Sequence, residues 1–298
     1  MSAFAPLTLG TVQLGMPYGI ANASGQPDLQ QGRQILQTAL ALGFEYLDTA
    51  PTYGTSEETL GKLLPEVDRA GRAHVISKIP SGLPPARWEQ QLTASLSRLR
   101  QPSLHSWLLH DETDFARFDA AAEEMITAAQ SAGRIGAFGV SCYSVEVARA
   151  ATQPSLVTAL QVPANVFDRR FLDARLARED VFIFVRSVFL QGLCLMTPEQ
   201  VPPRLPGAVE GVRLLQHYCR DLAISPQAFC LHYVNHRLRG RRHSLVLGVE
   251  TAAQVEDLAQ AMSTRCPADA VFQEWERLWP HSPPEMINPS LWPQYRQP

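Results

Sequence analysis

Cysteine is scarce in this sequence, and its cysteines form no recognisable pattern. The 298 residues include five, at Cys142, Cys194, Cys219, Cys230 and Cys266. The number is odd, and no two of them have the Cys-x-x-Cys spacing of a structural zinc site. A small domain held together by disulfides is therefore excluded, and no metal site is expected. We expect these thiols to be reduced and mostly buried as small apolar side chains.

Charged residues are also few, and neither sign dominates. They make up 18% of the chain, with a formal net charge of −3. No positive excess is present to attract a phosphate backbone. The one basic cluster, within residues 237–242, is typical of a solvated loop. No nucleic-acid partner is therefore expected.

Long apolar runs and linkers are missing as well. No run approaches the ~18 apolar residues of a membrane-spanning helix, and the first residues lack the basic start and apolar core of a signal peptide. We therefore expect a cytoplasmic protein with no membrane partner. Because no linker or low-complexity tract divides the chain, residues 1–298 are predicted to form a single domain.

Eight short apolar runs, by contrast, recur along the whole length. They are apolar throughout rather than alternating, which is typical of strands buried on both faces of a parallel sheet. The runs cover residues 7–12, 44–49, 74–78, 106–110, 137–141, 158–162, 181–187 and 244–248.

Helical patterns separate most of these runs. Helix-start signals are Asp28 with Gln31, Thr55 with Glu58, Ser225 before Pro226, and Thr251 with Gln254. The first two helices are predicted to end near residues 41 and 63, and apolar spacing predicts further helices over 85–99, 118–132 and 145–151.

Eight strand–helix units in one undivided chain predict a single-domain α/β fold, the (β/α)8 TIM barrel. A doubly wound sheet is the alternative. Against it, residues 10–15 do not match the Gly-x-Gly-x-x-Gly pattern, and the first helix is predicted to begin only near Asp28.

Polar residues stand where predicted strands end, which is where barrel enzymes place their chemistry. Asp48 ends the second strand with Tyr53 in the next loop, Lys78 ends the third and His110 the fourth. Taken singly, each also suits a helix cap, a solvated strand end or a core histidine.

Together, these four residues suggest proton transfer at a carbonyl or alcohol oxygen. An ammonium such as Lys78 favours the phenolate of a nearby Tyr53 and lowers its pKa. Asp48 would keep Lys78 charged. His110 could direct a ring N–H at the substrate oxygen.

These segments resemble those of the aldo-keto reductase family. The resemblance rests on residues 48–54 with Glu57, Leu60 and Gly61, on 77–78, 109–110 and 139–141, on Gln161, Ser187, 191–192, Gly248 and Gln254, and on 9–11 at the start. Residues 9–15, with Tyr18-Gly19 and Gly25-Gln26, look like a branch associated with bacterial carbohydrate or polysaccharide biosynthesis.

The resemblance implies a barrel enzyme, an NAD(P)(H)-dependent oxidoreductase acting on a small-molecule aldehyde, ketone or alcohol. It makes Tyr53 the general acid/base, with Asp48 and Lys78 tuning it and His110 orienting the carbonyl. The residues it implies for cofactor binding are Ser141, Gln161, Arg186, Ser187, Gln191, Gly192, Gly248, Glu250 and Gln254.

The cofactor segment departs from the family pattern in places. Cys142 replaces an asparagine, Arg186 a tyrosine that stacks on the nicotinamide, and Leu258 an asparagine that contacts adenine. The family implies NADP(H), but Glu250 stands where many members have Arg or Lys for the 2′-phosphate. NAD(H) is therefore a possible cofactor, unless Arg241 or Arg242 compensates.

Tyr18 and Tyr143 are predicted to be walls of the substrate pocket. The proline-rich tail, residues 279–298, is expected either to cover the barrel mouth as a lid or to pack on its side. Two other functions stay open: a cofactor-binding sensor or regulatory barrel with little turnover, and a metal-dependent hydrolase using residues 110–112. We expect a monomer or a small homo-oligomer.

Overall fold

Eight parallel strands form a closed barrel in the computed structural model, which describes residues 6–22, 24–174 and 178–292. Each strand pairs with the next, and β1 closes the barrel on β8 with Gly10 opposite Gly248. The predicted (β/α)8 barrel is confirmed, and the doubly wound alternative is wrong because the sheet has no edge. The strands are β1 (Leu7–Gly10), β2 (Phe44–Asp48), β3 (His74–Ile79), β4 (Leu104–Leu109), β5 (Ile135–Ser141), β6 (Val157–Pro163), β7 (Phe182–Arg186) and β8 (His243–Gly248).

The unbroken apolar runs are explained by burial on both faces of the barrel. Ile76, Leu108, Ala159 and Phe184 fill the barrel interior as one buried cluster. Neighbouring strand residues point outward, as Leu9 does, into a second apolar layer shared with the helices. Apolar residues therefore predominate on both faces, and the buried hydroxyls of Thr8 and Ser244 pair with each other at 2.6 Å.

Helices surround the strands in the expected order. Three predicted caps are confirmed: Asp28 and Gln31 form both bonds of a capping box, and Ser225 and Thr251 each accept a bond from the backbone of the first turn. The helices are α1 (Val12–Gly15), α2 (Leu29–Ala41), α3 (Ser56–Val67), α4 (Trp88–Leu99), α5 (Ala120–Ser131), α6 (Val145–Ala151), α7 (Arg170–Asp173), α8 (Val209–Asp221), α9 (Pro226–Arg237), α10 (Ala252–Ser263), α11 (Asp269–Leu278) and α12 (Pro284–Ile287).

Two helix predictions are wrong. Thr55 makes no side-chain cap, because its hydroxyl donates to the carbonyl of Gly15 instead, and α3 runs on to Val67. The first helix does not begin near Asp28, since the one-turn helix α1 follows β1 directly. Within the described ranges, no helix combines the length and apolarity needed to cross a membrane.

Candidate active site

One cavity of about 690 Å³ opens where the strands end at their carboxyl termini. Six of the eight strands contribute their last residue, or the one directly after it, to the cavity wall, and β6 contributes Gln161, two residues before its end. The fold therefore brings the predicted residues together. The cavity is lined by Tyr18, Asp48, Tyr53, His110, Ser141, Tyr143, Gln161, Arg186, Ser187, Gln191, Gly192, Gly248, Glu250 and Gln254.

Lys78 is the one predicted residue that does not line the cavity, because it lies beneath the floor. Its ammonium is fully buried and donates to Asp48 Oδ1 at 2.7 Å and to the carbonyl oxygen of Thr49 at 3.0 Å. Asp48 Oδ1 also accepts from Gln161 Nε2 at 2.8 Å. Burial lowers the pKa of Lys78, and the charge and hydrogen bond of Asp48 work against that change.

Tyr53 lies on the cavity floor above this ion pair. Lys78 Nζ is 4.9 Å from the centre of the Tyr53 ring. Burial, followed by the charge of Asp48, raises the pKa of Tyr53 well above its ordinary value, while the charge of Arg186 lowers it. The expectation that Lys78 lowers the pKa of Tyr53 is therefore wrong for this structure. Lys78 is paired with Asp48, and Tyr53 is a neutral phenol.

His110 stands beside Tyr53, with the ring centres 5.6 Å apart and nearly perpendicular. Its Nδ1 is 3.1 Å from the hydroxyl of Thr52. Burial and the charges of Lys78 and Arg186 lower the pKa of His110 to about 3, so the ring is neutral. If the Thr52 hydroxyl donates to Nδ1, the ring proton is on Nε2 and can be offered to a substrate oxygen.

The ends of β5 and β6 provide a polar wall. Ser141 and Gln161 are opposite one another in the sheet and both face the cavity. Cys142 is fully buried, and its thiol points back towards the carbonyl of Val140 at 3.9 Å. Burial raises the pKa of Cys142 to about 12. The replacement of asparagine by cysteine therefore leaves the polar contacts on this wall to Ser141 and Gln161.

The loop after β7 has an unusual backbone. Ser187, Leu190 and Gln191 adopt positive φ values of 60°, 49° and 55°, which non-glycine residues rarely do. Such conformations cost on the order of 1–3 kcal/mol each and concentrate at functional sites. Arg186, just before this loop, places its guanidinium carbon 3.9 Å from the centre of the Tyr143 ring.

The loop after β1 crosses the cavity and meets the loops after β7 and β8. Gln191 Nε2 is 3.3 Å from the Tyr18 hydroxyl, and Ser24 donates to Glu250 Oε2 at 2.8 Å. Gly192 has a φ of 93°, and a Cβ there would lie 2.4 Å from Ala21 Cβ. The loop after β1 therefore lies over one end of the cavity, and we call its residues 18–22 and 24 the strap.

Glu250 lines the cavity at the strap and directly precedes Thr251, the N-cap of α10, and its N–H donates to Gln254 Oε1 at 2.6 Å. Among the described residues that line the cavity, Arg186 is the only Arg or Lys. The expectation that Arg241 or Arg242 takes the place of a cation at position 250 and binds the 2′-phosphate is wrong. Both lie at the opposite, amino-terminal end of β8, around a separate cavity of about 410 Å³.

The large cavity has features that suit an elongated polar cofactor. Gln13 Oε1 and Gln191 Oε1 are buried acceptors for which the described residues provide no hydrogen-bond donor, and both side chains line the cavity. A Cβ on Gly248 would lie 2.5 Å from Gln13 Nε2, so the Gln13 amide packs directly against the backbone of Gly248. Ribose hydroxyls and amides of a nicotinamide dinucleotide are suitable partners for such acceptors.

Sequence reasoning did not single out Gln13 or Thr52 as site residues. A signal for each was present, because Gln13 follows the first strand and Thr52 is next to Tyr53. Their contributions depend on side-chain direction, which spacing alone does not give.

The tail contacts the barrel next to the cavity. Trp279 packs against Phe167 in the loop after β6, with the ring centres 5.8 Å apart. Further along, Met286 and Trp292 are buried and Pro289 lines the cavity. Residues 279–292 therefore dock beside the mouth and supply part of its wall, while 293–298 lie outside the described residues.

The residues proposed for a metal-dependent hydrolase are engaged otherwise. Asp111 accepts from the N–H and the hydroxyl of Thr113, and Glu112 accepts the N–H groups of Tyr143 and Ser144. In the part of the chain that the structure describes, no group of three or more His, Cys, Asp or Glu could hold a metal ion.

Comparison with known proteins gives a family match over most of the chain. A sequence model described as the Aldo/keto reductase family matches residues 6–280. Aldo-keto reductase YhdN from Bacillus subtilis (strain 168) is 28% identical over 158 residues, which cover 49% of this chain and 47% of that protein. The match thus spans about half the length of that curated relative.

Solved structures share the fold. The glycerol dehydrogenase AKR11B4 from Gluconobacter oxydans aligns with a TM-score of 0.73 and 22% identity, over 96% of this chain and 94% of that one. The holo form of aldo-keto reductase AKR11C1 from Bacillus halodurans aligns with a TM-score of 0.74 and 20% identity, over 99% and 96%. At these identities the likeness shows the fold alone.

Proposed function

Because the chain belongs to the aldo/keto reductase family, we propose that it is an NAD(P)(H)-dependent oxidoreductase that interconverts an aldehyde or ketone and an alcohol. The observation that carries this proposal is the placement of Tyr53 and His110 side by side on the cavity floor, above the buried Lys78–Asp48 pair. A neutral phenol and a neutral imidazole N–H are two donors suited to one carbonyl oxygen.

The proton and the hydride have separate sources. The nicotinamide cofactor, when bound, supplies a hydride with its two electrons to the carbonyl carbon. Tyr53 gives its hydroxyl proton to the oxygen, and the phenolate left behind takes a proton from solvent. The raised pKa of Tyr53 keeps that proton in place before reaction, which suits an acid in the direction of reduction.

The neighbours of Tyr53 stabilise the phenolate that forms when Tyr53 gives its proton to the substrate. The positive charges of Lys78, 4.9 Å from the centre of the Tyr53 ring, and of Arg186 stabilise the negative charge that grows on the phenolate oxygen. His110 holds the substrate oxygen towards Tyr53 through its Nε2 proton. Ser141 and Gln161 would bind the carboxamide of the cofactor, and Gln191, Gly192, Gly248 and Gln254 border the part of the cavity that would hold its remainder.

We propose that NAD(H) is accepted and that any preference for NADP(H) is weak. Glu250 lines the cavity at the strap, and none of the described cavity residues near it carries a positive charge. A carboxylate repels a 2′-phosphate but can accept bonds from ribose hydroxyls. Titration of both reduced cofactors by tryptophan fluorescence tests this, and tenfold or tighter binding of NADPH over NADH would contradict it.

A turnover screen with aldehydes and ketones separates the enzyme from a sensor that binds cofactor without reaction. Consumption of NADH or NADPH with at least one carbonyl compound supports the proposed enzyme. Cofactor binding with no turnover across the panel would favour the sensor. We also propose that the chain is one domain whose docked tail acts as a fixed wall of the pocket rather than as a moving lid.

A further inference from the structure

Arg186 holds an isolated positive charge at the reactive end of the cavity. Its guanidinium lies over the ring of Tyr143 at 3.9 Å, and its closest polar contact is a weak one, from Nη2 to the carbonyl oxygen of Cys142 at 3.5 Å. Among the described residues, Arg186 makes no ion pair. A guanidinium keeps its charge in proteins. Arg186 therefore carries a positive charge that no described carboxylate contacts.

The carboxylates around Arg186 are held by other donors. Asp48 is bound by Lys78 and Gln161. Glu112 accepts the N–H groups of Tyr143 and Ser144 at 2.7 and 2.8 Å. Asp111, which also lines the cavity, accepts from Thr113 and Ser81. These acids are therefore not placed to neutralise Arg186 by contact.

The Tyr143 platform beneath Arg186 is fixed in place. Its backbone N–H donates to Glu112, and its carbonyl oxygen accepts from Arg170 Nη1 at 3.3 Å. Tyr143 is 38% exposed as a residue, and both it and Arg186 line the cavity, so the guanidinium borders open space. An arginine stacked on a fixed aromatic ring loses little further freedom when it binds a planar anion through two parallel hydrogen bonds.

The charge of Arg186 reaches the groups that hold the carbonyl oxygen, since it lowers the pKa of both Tyr53 and His110. A nicotinamide ring carries no negative charge, so the cofactor end that exchanges the hydride cannot neutralise Arg186. The rest of the cofactor, including its pyrophosphate, is assigned to the part of the cavity bordered by Gln191, Gly192 and Gly248. With that assignment, the anion that fits Arg186 comes with the substrate.

We infer that the preferred substrate carries a carboxylate, or a similar planar anion, a few atoms from its carbonyl group, and that Arg186 binds this anion. Arg186 is then a specificity-determining residue. This inference rests on the proposed carbonyl-reducing function and deepens it by naming a substrate class.

The experiment compares two matched pairs of compounds with the full-length protein and its reduced cofactor. The pairs are the four- and five-carbon ω-oxo acids and their neutral ω-oxo amides, which keep the aldehyde and differ in the charge at the far end. For the wild-type protein we expect a kcat/KM for at least one acid that exceeds that for its amide by roughly tenfold to a hundredfold, the range of one charge-assisted contact.

The variant Arg186→Gln should abolish that ratio by raising KM for the acids. Because the charge near Tyr53 and His110 is also lost, kcat should fall to a similar extent for acids and amides. Arg117→Gln is the matched control, because Arg117 is an exposed cation in the loop after β4 that does not line the cavity. This control should keep the wild-type ratio. Binding of the reduced cofactor, followed by tryptophan fluorescence in all three proteins, separates a change in cofactor affinity from the change in KM for the acids.

Reduction of the amides as efficiently as the acids by the wild-type protein would overturn the inference and leave the proposed function intact. An equal loss of kcat/KM for acids and amides in Arg186→Gln would also overturn it, and would make Arg186 a residue of the general machinery. Failure of the wild-type protein to reduce any aldehyde would instead count against the proposed function itself.

Discussion

Lys78 and Asp48 form an ion pair in which both side chains are buried. Their side chains are 0% and 6% exposed, and Nζ is 2.7 Å from Oδ1. Removing one partner from a buried pair leaves a charge in a low-dielectric interior, which typically costs ~3–5 kcal/mol. The pair therefore stabilises the barrel as well as holding the floor beneath Tyr53.

We predict that Lys78→Met lowers the free energy of unfolding by about 3 kcal/mol or more, because Asp48 is left buried without its cation. Urea unfolding followed by circular dichroism measures the change. Arg33→Met is the matched control, since it breaks an exposed ion pair with Glu66 and should cost less than ~1 kcal/mol. Equal losses in the two variants would contradict this account of the floor.

At the scale of elements, the loop after β7 and the loop after β1 are in close contact. Gly192 in the first and Ala21 in the second approach so closely that a Cβ at 192 would meet Ala21 Cβ at 2.4 Å. The same contact closes the strap over the part of the cavity assigned to the cofactor. The spacing between these loops therefore determines the shape of the cofactor site.

We predict that Gly192→Ala raises the Kd of the reduced cofactor by roughly tenfold or more, because the new methyl group forces the two loops apart. Gly240→Ala provides the comparison: Gly240 also has a positive φ, 85°, but open space surrounds it. Both variants should lose similar stability, on the order of 1–2 kcal/mol. Unchanged cofactor affinity in Gly192→Ala, measured by fluorescence titration, would refute a cofactor site under the strap.

Element order could be predicted from the sequence, but some local contacts could not. The apolar runs give the eight strands because both strand faces are dry, and Asp28 and Ser225 mark helix starts because their bonds are local. Thr55 fails as a cap because a distant acceptor, the carbonyl of Gly15, competes for its hydroxyl. The one-turn helix α1 is too short to give a periodic signal.

The candidate site, too, could be predicted only in part from the sequence. The barrel topology places Tyr53, His110 and Gln161 on one cavity once the strand ends are identified. The direction of the Tyr53 pKa change depends on burial and on Lys78 being committed to Asp48, neither of which can be derived from spacing. The position of Arg241 at the far end of β8 likewise depends on where the strand begins.

For the whole molecule, the histidines make folding sensitive to acid. Burial lowers the pKa of His105 to about 4 and of His110 to about 3, and it lowers the pKa of His232, His236 and His243 as well. In the unfolded chain a histidine has a pKa of ~6.5. As pH falls below that value, the unfolded state binds protons that the folded state does not, so stability is lost.

We predict that the free energy of unfolding falls by at least about 1 kcal/mol between about pH 7 and about pH 5, where unfolded histidines gain protons before most carboxylates do. Urea titrations across this range measure the slope. His105→Gln should make the slope shallower, whereas His217→Gln, which alters an exposed histidine, should leave it unchanged. A flat profile in the wild-type protein would contradict the burial of these rings in the folded state.

The central claim is that Tyr53 delivers the proton during carbonyl reduction. Its most direct test is the rate of NADH or NADPH consumption with an aldehyde, followed by absorbance, in the wild-type protein and in Tyr53→Phe, with cofactor affinity measured on both. We predict a loss in kcat of about 10²-fold or more in Tyr53→Phe, the usual scale for general acid catalysis, with cofactor affinity unchanged. A Tyr53→Phe protein that turns over at nearly the wild-type rate would contradict the account.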